Sequence, residues 1–278
     1  MNERPAGART ALRLRTVFIS DVHLGSKGCQ AQYLLDFLRR VECDELYLVG
    51  DIIDLWALSR NFYWPQAHND VIRTILGKAK HGTRVVYVPG NHDRPFREHD
   101  GLVMGNLEIR RQAVHVAADG RRFLVLHGDE FDSVVRASPL LESIGSSAYD
   151  FVLSLNRYVN AARQRLGYPY WSLAAFLKHK VKNAVKYIAG FERALAAAAR
   201  AHAVDGVICG HIHRAEISEI EGVAYCNDGD WVESCTTLVE DYAGRMSLLR
   251  WTEAQSVLVG DRELPLLEAD RWVVPDAA

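Results

Sequence analysis

The sequence predicts an α/β fold: a sandwich of two sheets flanked by helices, carrying an inserted helical lid. Three observations predict it. Runs rich in β-formers alternate with helix-like stretches through the first half. Five such runs end in aspartate, asparagine or histidine. Past residue 213, short alternating runs follow one another closely.

The elements come in order. "TVFIS" runs into Asp21-Val22-His23, "ELYLVG" into Asp51, and "RVVYVPG" into Asn91-His92-Asp93. Between them, Gln30–Val41 and Ala67–Lys80 carry apolar residues at helical spacing. Strand, helix and strand in this sequence imply βαβ units and a largely parallel, buried sheet. "RFLVL" then leads to His127-Gly128-Asp129 and "GVICG" to His211-Ile212-His213. In open α/β sheets ligands gather at the carboxyl ends of strands, and all five polar clusters fall there. The later runs "AEISEIE", "VAYCND", "TTLVE" and "MSLLRW" are expected as antiparallel strands completing a second sheet.

One domain is expected over the 278 residues, with a catalytic core at about 14–132 and 202–252 and the lid at 133–201. Apolar residues make up 49% of the chain, enough for a sizeable core. The net charge of -2 advertises no nucleic-acid partner. That average hides an asymmetry: residues 133–200 hold ten Lys/Arg against three acids. "LGYPYW" (166–171) reads as a turn between helices of the lid. The five scattered cysteines form no CxxC and suit a reduced cytosolic protein. The amino-terminal stretch lacks the apolar region of a secretory signal, and no apolar run is long enough to span a bilayer.

In an extended segment, residues i and i+2 share a face, so His211 and His213 project together. Asp21, His23, Asp51, Asn91 and His127 stand with them at strand ends. Each alone has an ordinary alternative: Asp51 as a helix cap, Asn91 as a turn residue. Jointly those readings need five coincidences. Carboxylate and amide oxygens mixed with imidazoles favour manganese, iron or zinc over an all-oxygen calcium or magnesium site. No cysteine joins the set, which argues against structural zinc. Seven donors are too many for one ion that keeps an open position. They suit two ions sharing a bridging carboxylate.

The blocks DVH (21–23), GD (50–51), GNHD (90–93), HGD (127–129) and GHIH (210–213) resemble, in order, those of the calcineurin-like metallophosphoesterases. The resemblance implies the metallophosphoesterase sandwich and a hydrolase of phosphoric esters or pyrophosphates. It also implies a ligand set: Asp21, His23 and His213 on one divalent ion, Asn91, His127 and His211 on the other, and Asp51 between them. Asp51, Asn91 and His92 are then the catalytic residues, with His92 contacting the scissile phosphate and protonating the leaving group. Asp54 is expected to orient a ligand or cap a helix, and Asp93 to fix its turn.

"FISDVHLGS", "LVGDIIDLW" with Trp56, "HGDEFD", the insert and "CGHIHRAEI" narrow the resemblance to the UDP-2,3-diacylglucosamine pyrophosphatases. That family reads GNRD where this chain reads Gly90-Asn91-His92-Asp93. It implies cleavage of UDP-2,3-diacylglucosamine to UMP and 2,3-diacylglucosamine 1-phosphate in lipid A synthesis, with two Mn²⁺. It also implies a cytoplasmic protein attached peripherally to the inner membrane. The alternatives are a phosphodiesterase or nucleotide pyrophosphatase with a soluble or different lipid-linked substrate, and a non-catalytic scaffold. Lys178, Lys182 and Lys186 form one helical stripe, readable as a solvated face or as a contact for anionic substrate and lipid. Asn227, Asp228 and Trp231 of "NDGDW" are expected either to line the floor of the substrate site or to form a turn.

Overall fold

The computed structural model describes residues 12–132, 163, 165–166, 182–259 and 262–265. The first sheet begins with β1 (Leu12–Ile19), β2 (Val41–Val49) and β3 (Arg84–Val88), joined by helices α1 (Ala31–Arg40), α2 (Leu55–Arg60) and α3 (Gln66–Lys80). All three strands run parallel, with Val17 opposite Leu46 and Leu46 opposite Val85. Helix α2 is the short one. Asp54 caps it, accepting a hydrogen bond from the Ala57 amide.

β4 (Val103–Met104) and β5 (Leu107–Ile109) extend one edge of this sheet. The second sheet follows, from β6 (Ala113–Val116), β7 (Arg122–Val125), β8 (Gly206–Cys209), β9 (Glu216–Ile220) and β10 (Val223–Asn227). β11 (Thr236–Glu240), β12 (Met246–Arg250), β13 (Ser256–Val259) and β14 (Arg262–Pro265) complete the described strands. The sheet orders are β14-β13-β12-β11-β1-β2-β3-β5-β4 and β6-β7-β8-β10-β9.

The late strands depart from the sequence expectation. β9 and β10 do join the second sheet, but β10 lies parallel to β8. β11 crosses back to pair antiparallel with β1, and β12 to β14 follow it into the first sheet. Alternation identifies a strand; it says nothing about the partner across the ladder.

Strands near the centre are buried on both faces, which sorts their side chains by parity. Val17, Leu46 and Leu48 meet Leu34, Phe37 and Val71 of α1 and α3. Their neighbours Phe18, Tyr47 and Val49 point the other way, against Phe123, Val125 and Ile208 of the second sheet. On that sheet's outer face, Leu124, Leu126, Val207 and Cys209 pack against Phe191, Leu195 and Ala199. Those last residues belong to α4 (Lys182–Ala201). The molecule is therefore layered helix, sheet, sheet, helix. The final 20 residues of the segment read as a lid form this outer layer. The rest of that segment, apart from three residues, lies outside the described residues, as does Lys178.

One ion network pins the two sheets together. Glu240 on β11 is fully buried, and both its oxygens accept from Arg15 Nη1, at 2.8 and 2.7 Å. It also accepts from the Thr16 hydroxyl, the His115 ring and the Ala118 amide. His115 comes from β6 in the other sheet, packed edge-on to Phe18 and Tyr47. Burial alone would raise the Glu240 carboxyl; His115 and the other donors pull it down to about 2. A depressed folded value means the network's stability is present above the ordinary glutamate range and lost as pH falls through about 2. Urea-unfolding midpoints are expected to fall progressively between about pH 4.5 and pH 2. Glu240→Gln is expected to be less stable at pH 7 and to show a smaller fall across that window.

Candidate metal centre

The carboxyl ends of β1, β2 and β3 from one sheet, and of β7 and β8 from the other, meet at one edge of the sandwich. Five of the seven expected donors have left-handed backbones: Asp21 (φ 50°), His23 (53°), Asp51 (54°), His211 (69°) and His213 (51°). Such conformations cost about 1–3 kcal/mol each for residues with a Cβ, and they persist where surrounding structure enforces them. Here the loops after β1 and β2 are laced together. The Asp21 amide donates to Gly50 O (3.0 Å), that of His23 to Asp51 O (2.9 Å) and that of Leu24 to Ile52 O (2.9 Å). From the other sheet, the His211 amide donates to Asp21 Oδ2 at 2.8 Å.

The glycines of GNHD and GHIH follow from the crowding. A Cβ on Gly90 would sit 2.3 Å from Asp51 Oδ1, and one on Gly210 would sit 2.2 Å from Ser20 Oγ and 2.5 Å from Asp21 Oδ2. Neither position has room for a side chain.

Three groups of donors converge within 4.8 Å of one another: Asp21, His23 and His213; Asp51, His127 and His211; and His23, Asp54 and His92. Asp51 stands between the first two, its Oδ2 lying 3.3 Å from His127 Nε2 and 3.8 Å from His23 Nε2. Asn91 follows β3 with its Oδ1 buried and unpaired. His127 Nδ1 faces Val49 O at 2.8 Å and His23 Nδ1 faces Asp54 Oδ2 at 3.2 Å. Those contacts hold the proton on Nδ1 and turn the Nε2 lone pair inward. His211 is oriented the other way round, with Nε2 on Asp132 Oδ1 at 2.8 Å.

Behind the donors stands a layer that the sequence motifs only partly announced. Asp54, besides capping α2, holds His92 Nδ1 at 2.9 Å, so one carboxylate orients two imidazoles. Asp93 accepts from the Gly90 and Ile52 amides and from Tyr87 OH, which fixes both the GNHD and the GD loops. Asp132 receives Tyr187 OH of α4 as well as His211. It is the last residue of "HGDEFD", a quoted block in which no role was expected for it.

Asn227, Asp228 and Trp231 are fully buried and do not form a substrate floor. Asn227 Nδ2 donates to Gly210 O at 2.7 Å, holding the loop after β8. Trp231 packs on Phe37 within the helix-facing core. Asp228 reaches Ser20 Oγ at 2.5 Å, and Ser20 Oγ lies 2.5 Å from Asp21 Oδ2. A hydroxyl carries one proton, so these two short contacts need a second. Burial pushes the Asp228 carboxyl well above the carboxylate range. It therefore keeps a proton, donates to Ser20, and lets Ser20 donate to Asp21. Lys182 begins the described helix α4, and its side chain lies outside the described residues.

The electrostatics of the edge are dominated by its carboxylates. Burial opposes charge on Asp21, yet His213, His23 and His127 hold it well below its usual range. Asp51 is likewise lowered against burial, chiefly by His127. The histidines answer in kind: burial opposes a charged His127, but Asp51 raises it to about 10. Asp21 and Asp54 raise His23 well above the ordinary imidazole value against the same penalty. This cluster demands positive charge at its centre.

A family model described as calcineurin-like phosphoesterase matches residues 14–215. The chain belongs to the calcineurin-like phosphoesterase family. Over 119 residues it is 26% identical to a UDP-2,3-diacylglucosamine hydrolase of Blochmanniella pennsylvanica (strain BPEN), covering 41% of this chain and 46% of that one. Over 124 residues it is 27% identical to the hydrolase of the same name from Yersinia pseudotuberculosis serotype O:1b (strain IP 31758), covering 42% and 48%. The chain thus spans about half the length of these curated relatives. Among solved structures it is similar to vacuolar protein sorting 29 from Cryptosporidium parvum, at 12% identity and a TM-score of 0.45 over 90% of this chain and 97% of that one. It is also similar to hypothetical protein PH1004 from Pyrococcus horikoshii OT3, at 10% identity and a TM-score of 0.46 over 87% and 89%.

Membership of this phosphoesterase family implies divalent cations, and the donors fit them. Asp21 Oδ1, His23 Nε2, Asn91 Oδ1 and His127 Nε2 are all buried without a hydrogen-bond partner. Each such atom costs about 1–3 kcal/mol if it stays unsatisfied. His213 Nε2 approaches Asp21 Oδ1 to 3.0 Å, and both lie in the same donor cluster with His23. A cation satisfies all of these atoms and replaces the protons that the carboxylates otherwise recruit to the imidazoles.

Two outcomes follow. Manganese binding at pH 7 is expected to release protons from His23 and His127 and to weaken as pH falls. Calorimetric titrations in buffers of different ionisation enthalpy read this directly, and an enthalpy independent of buffer contradicts it. Asp228→Ala, which breaks the relay to Asp21, is expected to lower manganese affinity about 10–100-fold. Asp228→Asn keeps a donor for Ser20 and is expected to bind manganese nearly as the parent does.

Proposed function

We propose that this phosphoesterase hydrolyses the pyrophosphate bond of UDP-2,3-diacylglucosamine, giving UMP and 2,3-diacylglucosamine 1-phosphate, with two Mn²⁺ as its metals. The observation that carries the hydrolase is the placement of Asp51 between two donor clusters, each with inward-facing unpaired atoms. The substrate is supported by the motif blocks and by the similarity to the two UDP-2,3-diacylglucosamine hydrolases. When bound, two divalent cations polarise the phosphoryl oxygens and activate the attacking water.

The chain's own residues supply the rest. Asp21, His23 and His213 would hold one cation, Asn91, His127 and His211 the other, and Asp51 both. His92 is half-buried at the mouth of the site. Its Nδ1 is fixed by Asp54, and its Nε2 lies 4.0 Å from Asp51 Oδ2. A proton on that Nε2 can pass to the departing phosphate oxygen as the bridging P–O bond breaks. The His92 amide donates to Asp51 Oδ1 at 2.8 Å, so the acid and the bridging carboxylate move as one unit.

The proposal includes peripheral attachment to the cytoplasmic face of the inner membrane, supported by the basic stripe of Lys178, Lys182 and Lys186 read from the sequence. Among the described residues no helix is long and apolar enough to cross a membrane.

The manganese-loaded protein is expected to hydrolyse UDP-2,3-diacylglucosamine with higher kcat/KM than UDP-glucose or other water-soluble nucleotide diphosphates. Equal or faster turnover of the soluble compounds would assign it to nucleotide pyrophosphatases instead. Asp51→Asn is expected to abolish turnover and lower the metal content below two ions. His92→Ala is expected to lower kcat about 10²–10⁴-fold while two ions remain bound.

A further inference from the structure

Beside the donor clusters lies a cavity of about 540 Å³, lined by Trp56, Arg94, Arg97, Arg111, Glu98 and Glu130. Its size falls within the roughly 300–1,000 Å³ of small-molecule sites. Trp56 joins it to the catalytic edge: its ring stands 4.2 Å from that of His92, tilted by 35°. The indole is also 50% exposed, unusual for the largest apolar side chain. Its position is set firmly. Trp56 lies in the first turn of α2, where Asp54 caps the helix and Leu55 N donates to His92 O.

The three arginines differ in what they do. Arg97 is engaged, donating to Pro89 O at 3.0 Å and to Asp129 Oδ1 at 2.5 Å, and so forms the wall. Of the Arg111 guanidinium, only Nε has a partner among the described residues, Arg97 O at 3.3 Å. Arg94 is exposed and its guanidinium has no partner among the described residues. Two guanidinium ends are thus available beside an open aromatic face, with the carboxylate of Glu98 on the same wall.

This combination selects a ligand class. An acyl chain has no use for two arginines and an acid. A bare phosphate has no use for an indole. A nucleoside phosphate uses all of them: the base stacks on the indole, the phosphate pairs with guanidinium, and hydroxyl or ring N–H groups donate to the carboxylate.

We propose that this cavity binds the nucleoside phosphate half of the substrate, the base on Trp56 and its phosphate toward Arg94 and Arg111. The scissile bond then lies at His92 and the donor clusters. This rests on the reading of the substrate as a nucleotide joined through a pyrophosphate. The manganese-loaded full chain is titrated calorimetrically with UMP and, separately, with inorganic phosphate. UMP is expected to bind at least about tenfold more tightly than phosphate, from stacking of the base. Trp56→Ala is expected to bring UMP close to the phosphate value while leaving phosphate affinity itself unchanged, and Arg94→Gln, which removes a phosphate contact, is expected to weaken UMP binding. Both side chains are at the surface, so neither change threatens folding. UMP binding no tighter than phosphate in the parent, or as tight in either variant as in the parent, overturns the proposal. Loss of discrimination in the variants from a parent that does not cleave UDP-2,3-diacylglucosamine upholds the cavity and sinks the substrate reading.

Discussion

The bond from the His211 amide to Asp21 Oδ2 is the constraint on which the rest depends. It joins the end of a strand in one sheet to the end of a strand in the other, at the point where the donors converge. With the Ser20–Asp228 and His127–Val49 contacts, it fixes how the two sheets meet at their working edge. Asp21 can serve as such a clasp because its charge is held by surrounding imidazoles and by the proton relay from Asp228 through Ser20. The same carboxylate leaves Oδ1 unpaired and free for a cation.

Around that clasp the backbone is strained and the side chains are incompletely satisfied, and both features have one explanation. A site assembled to hold two cations must bring carboxylates and imidazoles closer than their mutual pairing needs. The left-handed turns at Asp21, His23, Asp51, His211 and His213 achieve the approach. The hydrogen bonds lacing the β1 and β2 loops supply the stability that offsets them. The carboxylates' pull on positive charge also explains why Asp51 raises His127 despite complete burial.

Much of this was legible in the sequence because the relevant signals are local. Strand ends carrying Asp21, Asp51, Asn91, His127 and His211 could be read from short motifs, as could α1 and α3 from their apolar spacing. Asp54 could be read as an orienter for the same reason, lying three residues past Asp51. What could not be read depends on contacts between residues far apart in the chain. The return of β11 to β1 pairs Val239 with Val17, and no spacing rule reaches that far. Asn227, Asp228 and Trp231 have the chemistry of a substrate surface, and only packing reveals that they face inward. Asp132 was hidden because its meaning comes from His211 and from Tyr187 of α4.

The parity of the central strands sets a rule for how this architecture can change. In β1, Val17 serves the helix side and Phe18 the sheet side, and the same alternation delivers Asp21 to its loop. Deleting a single residue there would exchange both linings at once and carry a ligand out of reach. Connections between strands are under no such phase requirement. Length variation is therefore confined to the connections between strands.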